Sequence, residues 1–309
     1  MLNNFDITGS DSNHLKRIRE CFPHLVVESV QTNHDGLTND ILIVNGELVF
    51  RFPKNETWAR NLIANEIKVI DLARNYLDIR IPEIVYRSTD FVTYRFIPGS
   101  ALQRNDILGL NEASQVQIAS QLATYLQQLH NIPIDEVERQ GIARSDTNRS
   151  HQVWVKLFEN VEAEMFPLMM PHAREWVVNH FAPVLADEYW MTSEPRLING
   201  DTTPYHILFD RRAQALAGII DFGTSGIGDP AADFACIIYF YGESFLRRMA
   251  RIYPEIEGAV DRARFWAGTL ELQWALSGIR ARDANWSWFT AHLGSARDVM
   301  PIGAEWRSM

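Results

Sequence analysis

The chain has 309 residues, 46% of them hydrophobic and 11% aromatic, which is enough apolar material for two lobes and excludes global disorder. A formal net charge of −10 argues against nucleic acid as the main partner, because phosphate backbones need a basic face, and it leaves room for a cationic ligand. Cys21 and Cys236 make neither a disulfide framework nor a metal-ligand spacing. No uncharged apolar run approaches the ~18 residues of a membrane span, and the first residues lack the segments of a secretion signal. A cytoplasmic protein with no membrane partner is expected; nothing sets an oligomeric state.

In chain order, Ser10–Cys21 shows Leu15, Ile18 and Cys21 at helical spacing, with Ser10 or Asp11 as cap. Val26–Val30 and Ile41–Val44 read as strands around a polar turn that carries one glycine, Gly36. Asn45-Gly46 is a two-residue hairpin signal, and Glu47–Phe52 is the third strand. Alternation puts Val49 and Arg51 on one face of it and Phe50 and Phe52 on the other. Residues 56–75 are helical, with a stripe of Trp58, Leu62, Ile67 and Ile70 and with Glu66 in the middle. Strands are expected at 81–85 and 91–97, before Pro98-Gly99 breaks the chain. The pattern then turns helical. Glu112–His130 presents Val116, Ala119, Leu122, Leu126 and Leu129 on one face, and His130 reads as a capping or packing residue. Residues 134–147 read as a polar loop, followed by helices at 153–167 and 171–185.

The stretch Leu197–Phe234 carries the chemistry. Asp201 follows Gly200, and His206 opens the apolar run Ile207-Leu208-Phe209 five positions later. Asp210-Arg211-Arg212 makes a turn, and the run Ala217–Ile220 delivers Asp221-Phe222-Gly223. A hairpin of this kind brings Asp201, His206 and Asp221 to one end of two paired strands. Phosphoryl transfer needs that grouping: a carboxylate to orient the attacking hydroxyl, and ligands to fix metal ions on the nucleotide phosphates. N-G-D-x-x-x-x-H followed by D-F-G matches the spacing of the protein-kinase arrangement. Helices follow at 235–240, 243–253, 260–279 and 286–297, the last containing Trp286 and Trp288. Aromatic faces beside carboxylates suit sugar binding, which makes Glu243, Glu271 and Trp274 candidates for contact with the acceptor.

With its G-I-I-D-F-G and G-D-P-A-x-D-F wording, this stretch resembles the aminoglycoside phosphotransferase family, most closely the enzymes that modify a 2″-hydroxyl. The resemblance implies an α+β, protein-kinase-like two-lobe fold. Residues 1–97 would form a small, mainly antiparallel nucleotide-binding lobe and residues 98–309 a helical lobe holding the catalytic loop and acceptor site. It implies Asp201 as the catalytic base, His206 and Asp221 as holders of Mg2+, and ATP or GTP as phosphate donor. Tyr94, Arg95, Phe96 and Ile97 would form the hinge that meets the purine. Arg51 stands where relatives usually carry lysine, with Glu66 as its helix partner; Lys54 is the alternative cation. Asn199 stands where relatives commonly carry histidine. The acceptor would be a small hydroxylated molecule, an aminoglycoside first, with a macrolide, choline or metabolite as alternatives. A kinase-like binding protein without catalysis is the reading from another class.

Overall fold

In the computed structural model, residues 9–34, 38–54, 57–145 and 150–281 are described. The side chains of Ser10 and Asp11, the Gly36 turn and the expected 286–297 helix lie outside the described residues.

The N-terminal part is a helix α1 (Gly9–Cys21), then strands β1 (Val30–Asn33), β2 (Asn39–Val44) and β3 (Leu48–Pro53), a helix α2 (Thr57–Ala73), and strands β4 (Ile84–Arg87) and β5 (Val92–Arg95). The strands form one antiparallel sheet in the order β1-β2-β3-β5-β4. Asn45 and Gly46 both take positive φ, 56° and 64°, as a two-residue turn matched to strand twist requires. Asn45 also explains why the expected strand at 26–30 starts only at Val30. Its side-chain oxygen accepts the Glu28 and Ser29 amides and its nitrogen donates to the Val26 carbonyl, so this backbone is bound by a side chain instead of a ladder.

The alternation along β3 divides the lobe. Phe50 and Phe52 pack with Leu15, Ile18, Leu42, Val44 and Phe91 into a separate core under α1, while Arg51 faces α2. Helix α2 buries Ala59, Ile63, Glu66, Val69, Ile70 and Ala73 and leaves Trp58 47% exposed. The stripe read from the sequence was therefore rotated, because the charged Glu66 belongs to the buried face and hides its periodicity.

The chain then passes through β6 (Ser100–Ala101), α3 (Arg104–Leu108), α4 (Glu112–His130), α5 (Ile134–Arg139), α6 (His151–Glu164) and α7 (Pro171–Ala186). The helix α5 replaces part of the expected polar loop. Asp135 and Glu136 in its first turn and Arg139 in its last suit the helix dipole. Four short strands follow, β7 (Arg196–Ile198), β8 (Ile207–Asp210), β9 (Ala215–Ile219) and β10 (Gly226–Gly228), and then α8 (Ala231–Tyr241), α9 (Glu243–Ala250) and α10 (Val260–Ala281). β6, β8 and β9 form one small sheet, and β10 pairs with β7 in another. Nearly every side chain of α8 is buried, with α9 and α10 packed against it. Aromatic edges join the outer helices to this core, with Trp154 of α6 and Phe181 of α7 both against Phe265 of α10. The result is a two-lobe α+β fold of the kinase type. Among the described residues, no helix is long and apolar enough to cross a membrane.

Candidate active site

The β8–β9 hairpin sets the centre. Ile207 pairs with Ile219, and the Ile220 amide donates to the His206 carbonyl, so His206 and Asp221 leave the two strands side by side. Asp221 has φ 63°, a left-handed conformation that a non-glycine residue adopts at a cost of order 1 kcal/mol or more. Its carboxylate lies 3.7 Å from His206 Nε2, and the Asp201 carboxylate lies 3.5 Å from His206 Nδ1. The three side chains singled out in the sequence do converge.

The loop that carries Asp201 is built from below. Asp233, wholly buried on α8, accepts the Asn199 and Gly200 amides at 2.8 Å each and the Thr202 hydroxyl at 3.1 Å. His130 of α4 bonds the same carboxylate at 3.0 Å and Tyr253 at 3.1 Å on its other side, a packing role. Gly200 sits at φ +79°, and a Cβ there would meet the Thr224 carbonyl at 2.9 Å, so this position needs glycine. Asp233 is the second carboxylate of the G-D-P-A-x-D-F run. A single carboxylate inside the apolar run 231–241 was the available signal, since such a group must be satisfied by something.

On the N-lobe side, Arg51 Nη1 donates to both Glu66 oxygens at 2.8 and 2.7 Å, and Nη2 reaches Asp221 at 3.3 Å. Glu66 also accepts from Tyr94 Oη at 2.8 Å and from the Phe222 amide at 3.3 Å. Burial opposes the Arg51 charge, but the Glu66 and Asp221 carboxylates outweigh it and hold the guanidinium firmly protonated. Burial pushes the Asp221 carboxyl up, yet Arg51 and His206 pull it below its ordinary value. Burial also pushes the Asp201 carboxyl up; His206 opposes this, Asp221 and Asp233 add to it, and the net is a raised value. Lys54 points elsewhere, donating to the His34 carbonyl at 2.9 Å and lying 4.0 Å from Asp40. Asn65, which the sequence did not reveal, ties α2 to the Asp221 loop by donating to the Gly223 and Ser225 carbonyls.

The four hinge residues differ from one another. The Tyr94 side chain is buried against Glu66, so it turns inward. The Arg95 and Phe96 amides are committed to the Glu83 and Glu47 carbonyls. Among the described residues the Ile97 amide has no internal backbone partner.

Of the three acceptor candidates, Glu243 differs from the expectation: its side chain is fully buried and held by Arg264 at 2.6 and 3.0 Å, so its carboxylate is committed to the α9–α10 junction. Glu271 and Trp274 stand elsewhere. Tyr239 of α8 donates to Glu271 at 3.0 Å, and its ring lies 5.3 Å from that of Trp274, which is 38% exposed. One turn before Tyr239, the Cys236 thiol meets the Thr202 backbone; burial and the charges of Asp201 and Asp233 push it up. Helix α8 thus carries the contacts to Glu271 and Trp274 on one turn and the contact to the Thr202 backbone on the turn before it.

The site thus joins a kinase-like lobe pair, a buried cation–carboxylate couple and a half-buried aspartate on an anchored loop. Residues 29–266 match the phosphotransferase enzyme family known as APH, and the chain belongs to it. It is similar to viomycin phosphotransferase of Streptomyces vinaceus, 30% identical over 190 residues, which cover 60% of this chain and 63% of that one. Among solved structures it resembles the GDP complex of wild-type aminoglycoside 2'-phosphotransferase-IIIa, with TM-score 0.81 and 27% identity over 91% of this chain and 95% of the other. The GDP and kanamycin complex of APH(2")-IIIa gives TM-score 0.80 and 26% identity, covering 91% and 96%.

Proposed function

We propose that this enzyme transfers the terminal phosphate of ATP or GTP to a hydroxyl of an aminoglycoside. The observation that carries the reading is the convergence of Asp201, His206 and Asp221 with the Arg51–Glu66 pair at one cleft. Asp201, its side chain 36% exposed and its basicity raised by burial, orients the acceptor hydroxyl and takes its proton. Arg51 Nε is buried without a hydrogen-bond partner among the described residues, which suits a donor kept for a phosphate oxygen. Glu66 fixes the guanidinium, and the Ile97 amide serves the purine edge.

The site also fits magnesium. His206 Nδ1 lies 3.0 Å from the Asp201 carbonyl, so a ring donating there presents its Nε2 to Asp221. Two acceptors 3.7 Å apart lie within the span of two ligands of one ion at ~2.1 Å each. Among the described residues, no three such side chains converge tightly enough to enclose a metal, so phosphate oxygens and water would complete the shell. Asp221 and His206, the latter directly or through a water, would hold the ion, whose charge would screen the phosphates.

Glu271 and Trp274 offer a carboxylate and an aromatic face to a cationic sugar, and the kanamycin complex of a similar structure supports that acceptor class. A second reading, an antibiotic of the viomycin kind, is favoured by the 30% identical relative. The test is transfer of labelled terminal phosphate from ATP and GTP to a panel of aminoglycosides, viomycin, macrolides and amino alcohols with magnesium. Labelled aminoglycoside is expected. Product only on another acceptor would replace the substrate, and nucleotide binding with no product on any would favour a non-catalytic binding protein.

A further inference from the structure

The family pattern commonly has histidine at position 199, and this chain has a fully buried asparagine there. All its polar groups are engaged. The backbone amide donates to Asp233, and the carbonyl accepts the Thr224 and Ser225 hydroxyls at 3.1 Å each. The side-chain oxygen accepts the Asp201 amide at 3.0 Å, and the side-chain nitrogen donates to Tyr125 Oη at 3.0 Å. The amide orientation follows from this pair of contacts. The Asp201 N–H can only donate, so it must face Oδ1, which turns the NH2 group toward the phenol. Tyr125, 1% exposed on α4, is suited to accept: burial first, and the Asp233 charge second, push its hydroxyl far above the range where it would ionise.

We propose that Tyr125 and Asn199 form a positioning relay for Asp201: the phenol fixes the carboxamide, and the carboxamide fixes the backbone from which the catalytic carboxylate projects. This rests on Asp201 being the base. The side-chain contacts of the relay run to Asp201 and Tyr125 alone, while the Asn199 main-chain carbonyl, which reaches the Asp221 loop at Thr224 and Ser225, survives side-chain substitution, so the relay belongs to chemistry and not to nucleotide capture. Displacing a reacting group by an ångström can cost about 10²-fold in rate. Losing the Asp201 amide contact falls below that limit, since Gly200 and Thr202 remain anchored on Asp233.

The experiment measures kcat, and KM for the magnesium-nucleotide, in Tyr125→Phe, Asn199→Ala and the double variant, with the best acceptor from the panel. Asn199→Ala should lower kcat about 30-fold and Tyr125→Phe about 5-fold, each with nucleotide KM within about two-fold. The double variant should match Asn199→Ala alone, since Tyr125 acts through Asn199. A fall in kcat with nucleotide KM held is the split that a loss of packing across the lobe would not produce. If Asn199→Ala does not fold, the kcat-against-KM split of Tyr125→Phe still decides. A Tyr125→Phe enzyme with native kcat overturns the relay, as do fully multiplicative effects in the double variant. Native turnover in Asp201→Asn would instead remove the base reading, so the two failures are distinguishable.

Discussion

On the side assigned to the nucleotide, Arg51 stands between two carboxylates, with its own side chain 11% exposed, that of Glu66 at 0% and that of Asp221 at 30%. On the side assigned to the acceptor, Asp201 keeps its side chain 36% exposed, 3.5 Å from His206, and Glu271 is half-buried and accepts the Tyr239 hydroxyl. The difference follows from what each side must receive. A nucleotide brings negative charge, so its site needs a cation whose own cost of burial is already offset. The proposed cationic acceptor would bring its own positive charge to the Asp201 side.

Breaking the buried couple should have the largest effect. Arg51→Ala leaves Glu66 buried without its cation, a change worth roughly 3–5 kcal/mol. Thermal unfolding should show a large loss, and nucleotide titration a parallel one. Arg51→Lys should recover much of the nucleotide use. Near-native behaviour of Arg51→Ala would transfer the role to Lys54. Next, Asp221→Ala should weaken magnesium-dependent nucleotide affinity by about 10²-fold, the scale of two charge-assisted contacts. Native affinity in that variant, measured calorimetrically with and without magnesium, would remove Asp221 from the metal.

The acceptor side should respond more gently. Glu271→Gln should raise the acceptor KM by about ten-fold, one charge-assisted hydrogen bond, and leave nucleotide KM unchanged. A shift in nucleotide KM instead would place Glu271 on the wrong side of the comparison. The smallest effect concerns pH and stability. The raised Asp201 carboxyl means the folded state holds that proton more tightly than the unfolded chain does, so the charged form is a cost above the folded value. Asp201→Asn should therefore raise the melting temperature slightly at neutral pH. That gain should vanish as pH falls through the raised value, while wild-type kcat falls over the same window. A gain that grew toward acid pH would reverse the sign and contradict the raised carboxyl.

What could be read in the sequence was what is local. The Asn45-Gly46 turn, the alternation along β3 and the hairpin bearing His206 and Asp221 each follow from a few adjacent residues. Asp201 and Asp221 were legible because their spacing is imposed by one hairpin. The rotated stripe of α2 was misread for a physical reason: Glu66 is buried by its partner across 15 residues, not by its own character. Asp233, Tyr125 and Asn65 gain their roles from contacts spanning 33, 74 and 158 residues, which no window of sequence contains. Glu243 differs from the expectation because Arg264, 21 positions away, takes its charge. Charge composition could not tell that carboxylate from Glu271.

The central claim is that nucleotide capture and acceptor activation are separate tasks on the two sides of this cleft. Its most direct test is Asp201→Asn, assayed for magnesium-nucleotide affinity by calorimetry and for phosphate transfer by turnover. Affinity should stay within a few-fold of native while turnover falls by about 10²-fold or more. Equal loss of both would show that Asp201 serves the nucleotide, and the division drawn between Arg51–Glu66–Asp221 and Asp201–Glu271 would not stand.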